Sequence, residues 1–169
     1  MLAFSFPSWA GDIAWLLFRV GYGLLFINAA WACGKNKAAR QWTVDETGIV
    51  FPKYTKFFAY CGIAIMGLGG ASILLGLSAQ WGALALFVFL LPGALIHFRQ
   101  MKRADILLGK IKNQLAAAPP DLDMLHISAR LGHYSSALKN LALSSGCLFI
   151  GIQGSGPYSL ANVLSQMLK

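Results

Sequence analysis

The stretch Asp12 to Trp31 (DIAWLLFRVGYGLLFINAAW) is long and apolar enough to cross a bilayer, and it carries an arginine, Arg19, inside it. A spanning helix needs about 20 mostly apolar residues. An ionisable side chain within one is costly enough to mark a functional or packing site. Three further segments of the same kind follow, Phe57 to Leu77, Trp81 to Phe98 and Ala137 to Gln153. The expected fold class is all-α: an integral membrane four-helix transmembrane bundle with amphipathic interfacial helices, forming one transmembrane domain over residues 1–169.

Hydrophobic residues make up 57% of the chain and charged residues 12%, against roughly 45–50% and about 25% in soluble domains. Four spans and their connections use nearly all of the length, so no second, soluble domain is expected. The net charge of +8 does not point to nucleic acid, because that reading needs a basic face on a folded soluble surface. Here the basic residues flank apolar spans. Nothing basic precedes Arg19 and no small-residue cleavage site ends the first apolar run, so the first span is expected to stay in the mature protein.

The charges also set a topology. The basic loop 33–56 holds five Lys/Arg, and the connection from Arg99 to Lys139 holds seven, leaving only Arg19 and Lys169. Four spans put these two loops on one side. By the positive-inside rule that side is cytoplasmic, with both termini on the non-cytoplasmic side of a bacterial inner (cytoplasmic) or intracytoplasmic membrane.

Local signals refine the picture. Phe4, Phe6 and Trp9 suit an interfacial N-terminal segment. Gly62, Gly67, Gly69, Gly70 and Gly76 let the second span approach its neighbours closely. The short link Ser78-Ala79-Gln80 makes spans two and three antiparallel neighbours, and Pro92-Gly93 predicts a kink in the third. Arg99 to Ala118 reads as an amphipathic helix lying on the membrane surface. Pro119-Pro120 ends it, and Asp121 caps a short helix over Leu122 to Leu131. After Gly154-Ser155-Gly156-Pro157, Leu160, Val163, Leu164, Met167 and Leu168 form one face of a terminal amphipathic helix.

Few residues offer chemistry. Arg19 lies about two turns, roughly 10 Å, inside its span, and apart from Asp12 at the start of the first span no Asp or Glu falls within any span. Two readings stand side by side. In one it reaches outward to Asp12, or bonds main-chain carbonyls, Gln80 or Gln153 at the helix ends. In the other it faces the bundle interior and binds an anion or a quinone carbonyl, for which its fixed donors are suited. At the opposite end His97, Lys139 and Asn140 share a depth, with Asn28 the sole polar contribution from span one. His97 there suits a helix–helix hydrogen bond or a proton relay, and Lys139 suits contact with headgroups. His126 and His133 complete the histidines, but no metal-ligand spacing is present. Cys33, Cys61 and Cys147 are widely separated and read as free thiols. Ligand-binding candidates are thus Arg19, Asn28, His97, Lys139, Asn140 and Gln153, with no catalytic residue and no metal site assigned.

Read together, these residues resemble the DoxX/DoxD family of small four-span membrane proteins. Lys139-Asn140-Leu141-Ala142-Leu143, Gly146 and the run Gly154-Ser155-Gly156-Pro157-Tyr158-Ser159-Leu160 are similar to that family's ending. Arg19 with Gly23 and Phe26, the loop Gly48-Ile49-Val50-Phe51-Pro52, Gly69-Gly70-Ala71-Ser72-Ile73-Leu74-Leu75-Gly76 and His97-Phe98 resemble its other conserved stretches. Met66 stands where family members commonly carry a glutamate, Ala161 where an aspartate follows the YSL, and Lys35 is offset from the usual lysine. The resemblance implies an accessory subunit of a larger redox membrane complex with a quinone- or anion-facing pocket, not catalytic alone. Its expected partners are the lipid bilayer and other membrane subunits, with no nucleic acid. Other readings are a membrane subunit of a thiosulfate:quinone oxidoreductase and a small solute transporter, the last weakened by the lack of an inverted repeat.

Overall fold

In lipid every main-chain polar group must be satisfied inside the protein, which leaves helices as the structure for long apolar segments. A computed structural model describes residues 7–115, 117 and 119–168, and among them every regular element is helical. The order is α1 (Ser8–Gly34), α2 (Lys37–Gly48), α3 (Thr55–Leu75), α4 (Ala79–Gln114), α5 (Asp121–Gln153) and α6 (Leu160–Met167). Four of these, α1, α3, α4 and α5, are long and apolar enough to cross a membrane. The expected bundle is present, and the chain is a multi-pass membrane protein. Phe4, Phe6, Ala118 and Lys169 lie outside the described residues.

Two helix pairs dominate the packing, α1 against α3 and α4 against α5, and α3 against α4 joins them. Small residues set the first pair. A Cβ on Gly70 would lie 2.9 Å from the Gly23 carbonyl oxygen, and one on Gly23 would lie 2.8 Å from that of Gly70. The two backbones therefore touch, as small residues permit in membrane bundles. Gly69 and Gly82 repeat the device between α3 and α4, where Leu86 fills the space beside them. Phe26, Met66, Ile73, Leu86, Leu90, Cys147 and Ile150 form the buried core. The turn from α3 to α4 uses Gly76 at φ +67° and Ser78 at φ +52°, and the Ser72 hydroxyl donates to the Leu77 carbonyl at 2.7 Å.

The second pair departs from the sequence expectation. Span three, expected to end at Phe98, does not give way to a separate surface helix over Arg99–Ala118. It continues through Pro92 and on to Gln114 as one helix. The short helix expected over Leu122–Leu131 is likewise the start of α5, which runs unbroken into span four. Facing pairs mark the whole length: Gln80 with Gly154, Leu84 with Gly151, Gly93 with Asn140, His97 with His133, Asp105 with His126, Lys112 with Asp123. Their residue numbers add to nearly the same value, so α4 and α5 form one antiparallel rod. The physical reason is that each helix supplies the other with partners beyond the bilayer. Lys112 pairs Asp123 at 2.7 Å, and Asp105 takes His126 at 2.8 Å and Arg130 at 3.5 Å.

The polar loop 33–56 is also more ordered than its composition implied. Asn36 caps α2, accepting from the Ala39 amide at 2.8 Å. Arg40 donates to the Gly34 carbonyl at 2.7 Å, folding α2 back onto the end of α1. Arg99 donates to the Ile49 carbonyl at 2.8 Å, tying the loop to α4.

Two outcomes test this architecture. Because the span number is even, Lys53 and Lys110 should react with an impermeant amine reagent from the same face of a sealed vesicle. Labelling from opposite faces would refute the bundle. Gly70→Val should drive α1 from α3 and cost about 1–3 kcal/mol, the range for overpacking, read as a lowered thermal transition in detergent.

Candidate functional site

The sequence-predicted residues separate into two layers at opposite ends of the bundle. Arg19 belongs to the layer beside the α3–α4 turn. It is 2% exposed, and its guanidinium donates to the Ser155 carbonyl at 2.6 Å and to the Tyr158 carbonyl. Both acceptors lie in the irregular segment between α5 and α6, whose carbonyls have no helical partners. Gly154 and Gly156 adopt φ +79° and +71° there, the left-handed region that glycine enters without strain. Gly76 leaves room for the guanidinium and Gly156 for Trp15. Ser159, buried, caps α6 by accepting from the Asn162 amide at 3.3 Å, and Asn162 returns a side-chain bond to the Gly156 carbonyl at 2.9 Å. Arg19 is thus bound by main-chain carbonyls, which places it as a clamp on the C-terminal segment. Gln153, the last residue of α5, and Asn28 on α1 are both exposed, and neither lines the cavity described below.

His97, Lys139 and Asn140 are brought together at the other end, where they line a cavity of about 490 Å³. Its body is apolar: Leu25, Phe26, Ile65, Met66, Phe89 and Leu143 are among its walls. Its rim is polar, and α2 supplies much of it through Trp42, Thr43, Glu46 and Thr47. Glycines shape the interior. Gly62 faces the Phe89 ring, and Asn140 Nδ2 sits 3.0 Å from where a Cβ on Gly93 would stand. Pro92-Gly93 therefore lets Asn140 come close to α4. Pockets of this size with apolar walls and a few placed polar groups are the usual form of small-molecule sites.

The histidines do not converge. His97 Nδ1 lies 3.4 Å from His133 Nδ1 across the α4–α5 contact, and His126 is taken up by Asp105. Among the described residues no group of three His, Cys, Asp or Glu is arranged to hold a metal ion. Cys33 and Cys61 are half-buried in the cavity wall, and Cys147 is buried in the core; all three are free.

Glu46 was not singled out by sequence reasoning. It sits in a polar loop among several charges, and only the fold-back of α2 turns it toward the cavity. Burial pushes its carboxyl above the ordinary glutamate value, the nearby Arg103 opposes that shift, and Asp45 adds to it. A signal was present in Asn36, a good N-cap residue that starts a helix inside the polar loop.

Comparison with protein-family models, with curated proteins and with solved structures finds no match to this chain.

Two predictions follow from the two layers. Arg19→Met should preserve volume but lose both carbonyl bonds, costing about 3 kcal/mol at the lower end of what charge-assisted bonds contribute. It should also open the chain after Gly154 to limited proteolysis, and an unchanged cleavage pattern would contradict the clamp. For Glu46, a carboxyl raised by folding binds its proton more tightly folded than unfolded, so ionising it costs stability. Stability should therefore fall as pH rises from the ordinary glutamate value near 4.5 through the raised one. Glu46→Gln should flatten that slope, as followed by thermal unfolding across the acid range.

Proposed function

We propose that this chain is a DoxX-like accessory subunit of a larger redox complex in a bacterial cytoplasmic or intracytoplasmic membrane, and that its cavity holds the head of an isoprenoid quinone. On this reading the basic loops lie on the cytoplasmic side and both termini on the other, as the placement of Lys and Arg favours. The observation that carries the ligand reading is the cavity's asymmetry: apolar walls toward Met66 and Ile65, with His97, Lys139, Asn140 and Glu46 at one end. A quinone has the same asymmetry, a ring with two carbonyl acceptors on an apolar tail. His97, Lys139 and Asn140 are donors for those carbonyls, and a tail fits the apolar body. The residues that resemble the family ending, Lys139-Asn140 and Gly154 to Leu160, serve the two layers separately: the first faces the cavity and the second receives Arg19.

The part played by the bound head is positioning. His97 and His133 in contact give a two-imidazole path by which a proton can pass between the α4–α5 seam and the cavity rim. On the accessory-subunit reading, electrons reach the bound head from a partner subunit.

Trp42 in the cavity wall supplies the test. Decylubiquinone titrated into the purified protein should quench tryptophan emission saturably, and Trp42→Phe should remove most of that change. His97→Ala should weaken binding about tenfold, the loss of roughly one hydrogen bond of 1.4 kcal/mol. Arg19→Met, whose side chain lies in the other layer, should leave the affinity as it is. Absence of saturable quenching, or equal effects of both variants, would remove the quinone reading. Migration of the gently solubilised protein as a lone polypeptide would remove the accessory-subunit reading.

A further inference from the structure

The bundle closes unevenly along the seam between α1 and α5. Among the described residues these two helices do not pack backbone to backbone along their length as the other neighbouring spans do, so side chains decide where the seam is shut. One stripe of α1 at helical spacing reads Trp15, Phe18, Tyr22, Phe26, Ala29, Cys33. Its first part is large. Trp15 meets the Phe149 ring of α5 edge-on at 5.2 Å between centroids, Phe18 meets the same ring at 6.3 Å, and the Tyr22 hydroxyl takes the place of a Gly146 side chain. Beyond Phe26 the stripe shrinks to alanine and cysteine, and this aromatic closure stops.

The shrinking of these side chains coincides with the cavity. The antiparallel register set by Tyr22 and Gly146 brings Leu25 opposite Leu143 and Ala29 opposite Lys139, and all four line the cavity. Leu25 is 42% exposed and Lys139 is exposed as well, so the cavity reaches the surface between them. Other sides are filled at this level. The Phe89 ring lies 2.7 Å from where a Cβ on Gly62 would stand, plugging the α3–α4 contact, and Phe51 of the loop after α2 stacks on Phe58 of α3 at 4.5 Å. The slot opens to acyl chains rather than to water. Asn140 faces Gly93, which lies about 9 Å inside the level of Arg99, and Arg99 is held at the loop by the Ile49 carbonyl.

We infer that this slot is the way out for the isoprenoid tail of the bound quinone. With the ring at His97 and Asn140, the tail passes over Ala29 between Leu25 and Leu143 and lies in the leaflet on the side of α2. The inference rests on the quinone reading and adds the path of the tail and the leaflet from which the ligand comes. Size requires an exit. A space of about 490 Å³ takes a quinone ring and the first part of a tail, whereas the polyprenyl chain of a membrane quinone far exceeds such a space. Chemistry selects this exit. Leu25, Ala29 and Leu143 make it apolar, and α1 and α5 are unbroken helices here, so no unpaired main-chain group faces the tail. Ala29 gives clearance. Lys139 at the lip can lay its stem along the apolar wall and turn its ammonium toward the ring carbonyls. A water-soluble ligand has no use for an opening at this depth.

The parent chain supplies the test without a mutation. A ubiquinone analogue with a photoreactive diazirine on its second isoprene unit is irradiated with the purified protein in phosphatidylethanolamine/phosphatidylglycerol nanodiscs. It should label α1 between Leu25 and Cys33 and α5 between Lys139 and Leu143, and excess decylubiquinone should suppress that labelling. Label on Phe58 and Val88 at the α3–α4 edge, label on α2, or label that excess decylubiquinone leaves in place overturns the inference. Ala29→Phe gives a second reading. In the parent chain decylubiquinone should bind more tightly than the tailless dimethoxybenzoquinone, and Ala29→Phe should reduce that gain about tenfold, the equivalent of about two buried methylene groups. A gain left intact in the variant means that the tail does not pass Ala29. If decylubiquinone binds with the His97 dependence given above while the label falls elsewhere, the slot is wrong and the quinone reading stands; if decylubiquinone does not bind saturably, both fall.

Discussion

A charge that enters hydrocarbon must take its acceptors from the protein, and in this chain that requirement falls on Arg19. Among the described residues no carboxylate pairs with it, and the guanidinium is met by main-chain oxygens of the segment after α5. That segment in turn needs donors, because its left-handed glycines break the helical ladder and leave its carbonyls unmatched. One arginine and one irregular stretch thus supply much of what the other lacks, although the buried Arg19 Nε–H is left without a partner. The solution fixes Gly76 and Gly156 as glycines, since a side chain at either would fill space that Arg19 or Trp15 occupies. The end of the bundle that looks most functional in the sequence is a closure of the fold.

The other end is left open for the same reason in reverse. There α2 folds back through Arg40 and α4 is tied in through Arg99. The helices spread around a space that small residues at Gly62 and Gly93 help to form. Polar groups gather only on the rim, where α2 meets α4 and α5. The resulting polarity, apolar below and donor-rich above, is the feature on which the proposed quinone reading rests.

The four spans and the close helix contacts were legible in the sequence because hydropathy and glycine runs report on local, one-dimensional properties. The interruption after Phe98 was misread for an equally physical reason. Basic residues after an apolar run resemble a helix turning onto a membrane surface, and nothing local reveals that Asp105 and Asp123 lie on a rod whose other helix supplies His126 and Arg130 to the one and Lys112 to the other. Arg19's bonding to carbonyls was among the readings the sequence allowed, but its acceptors could not be named, since Ser155 and Tyr158 contribute only backbone and backbone carries no sequence signal. Glu46 was hidden similarly: its position on the rim depends on α2 folding back, which a polar loop does not announce.

The clamp on Arg19 joins residues 136 positions apart in the chain. At a synthesis rate of about 5–20 residues per second, the acceptors emerge roughly seven to twenty-seven seconds after the arginine has left the ribosome. For that interval the first helix has a cation and no mate. The bonds that hold Arg19 can form only once the segment after α5 has been made, so the order of translation places this closure after all four spans.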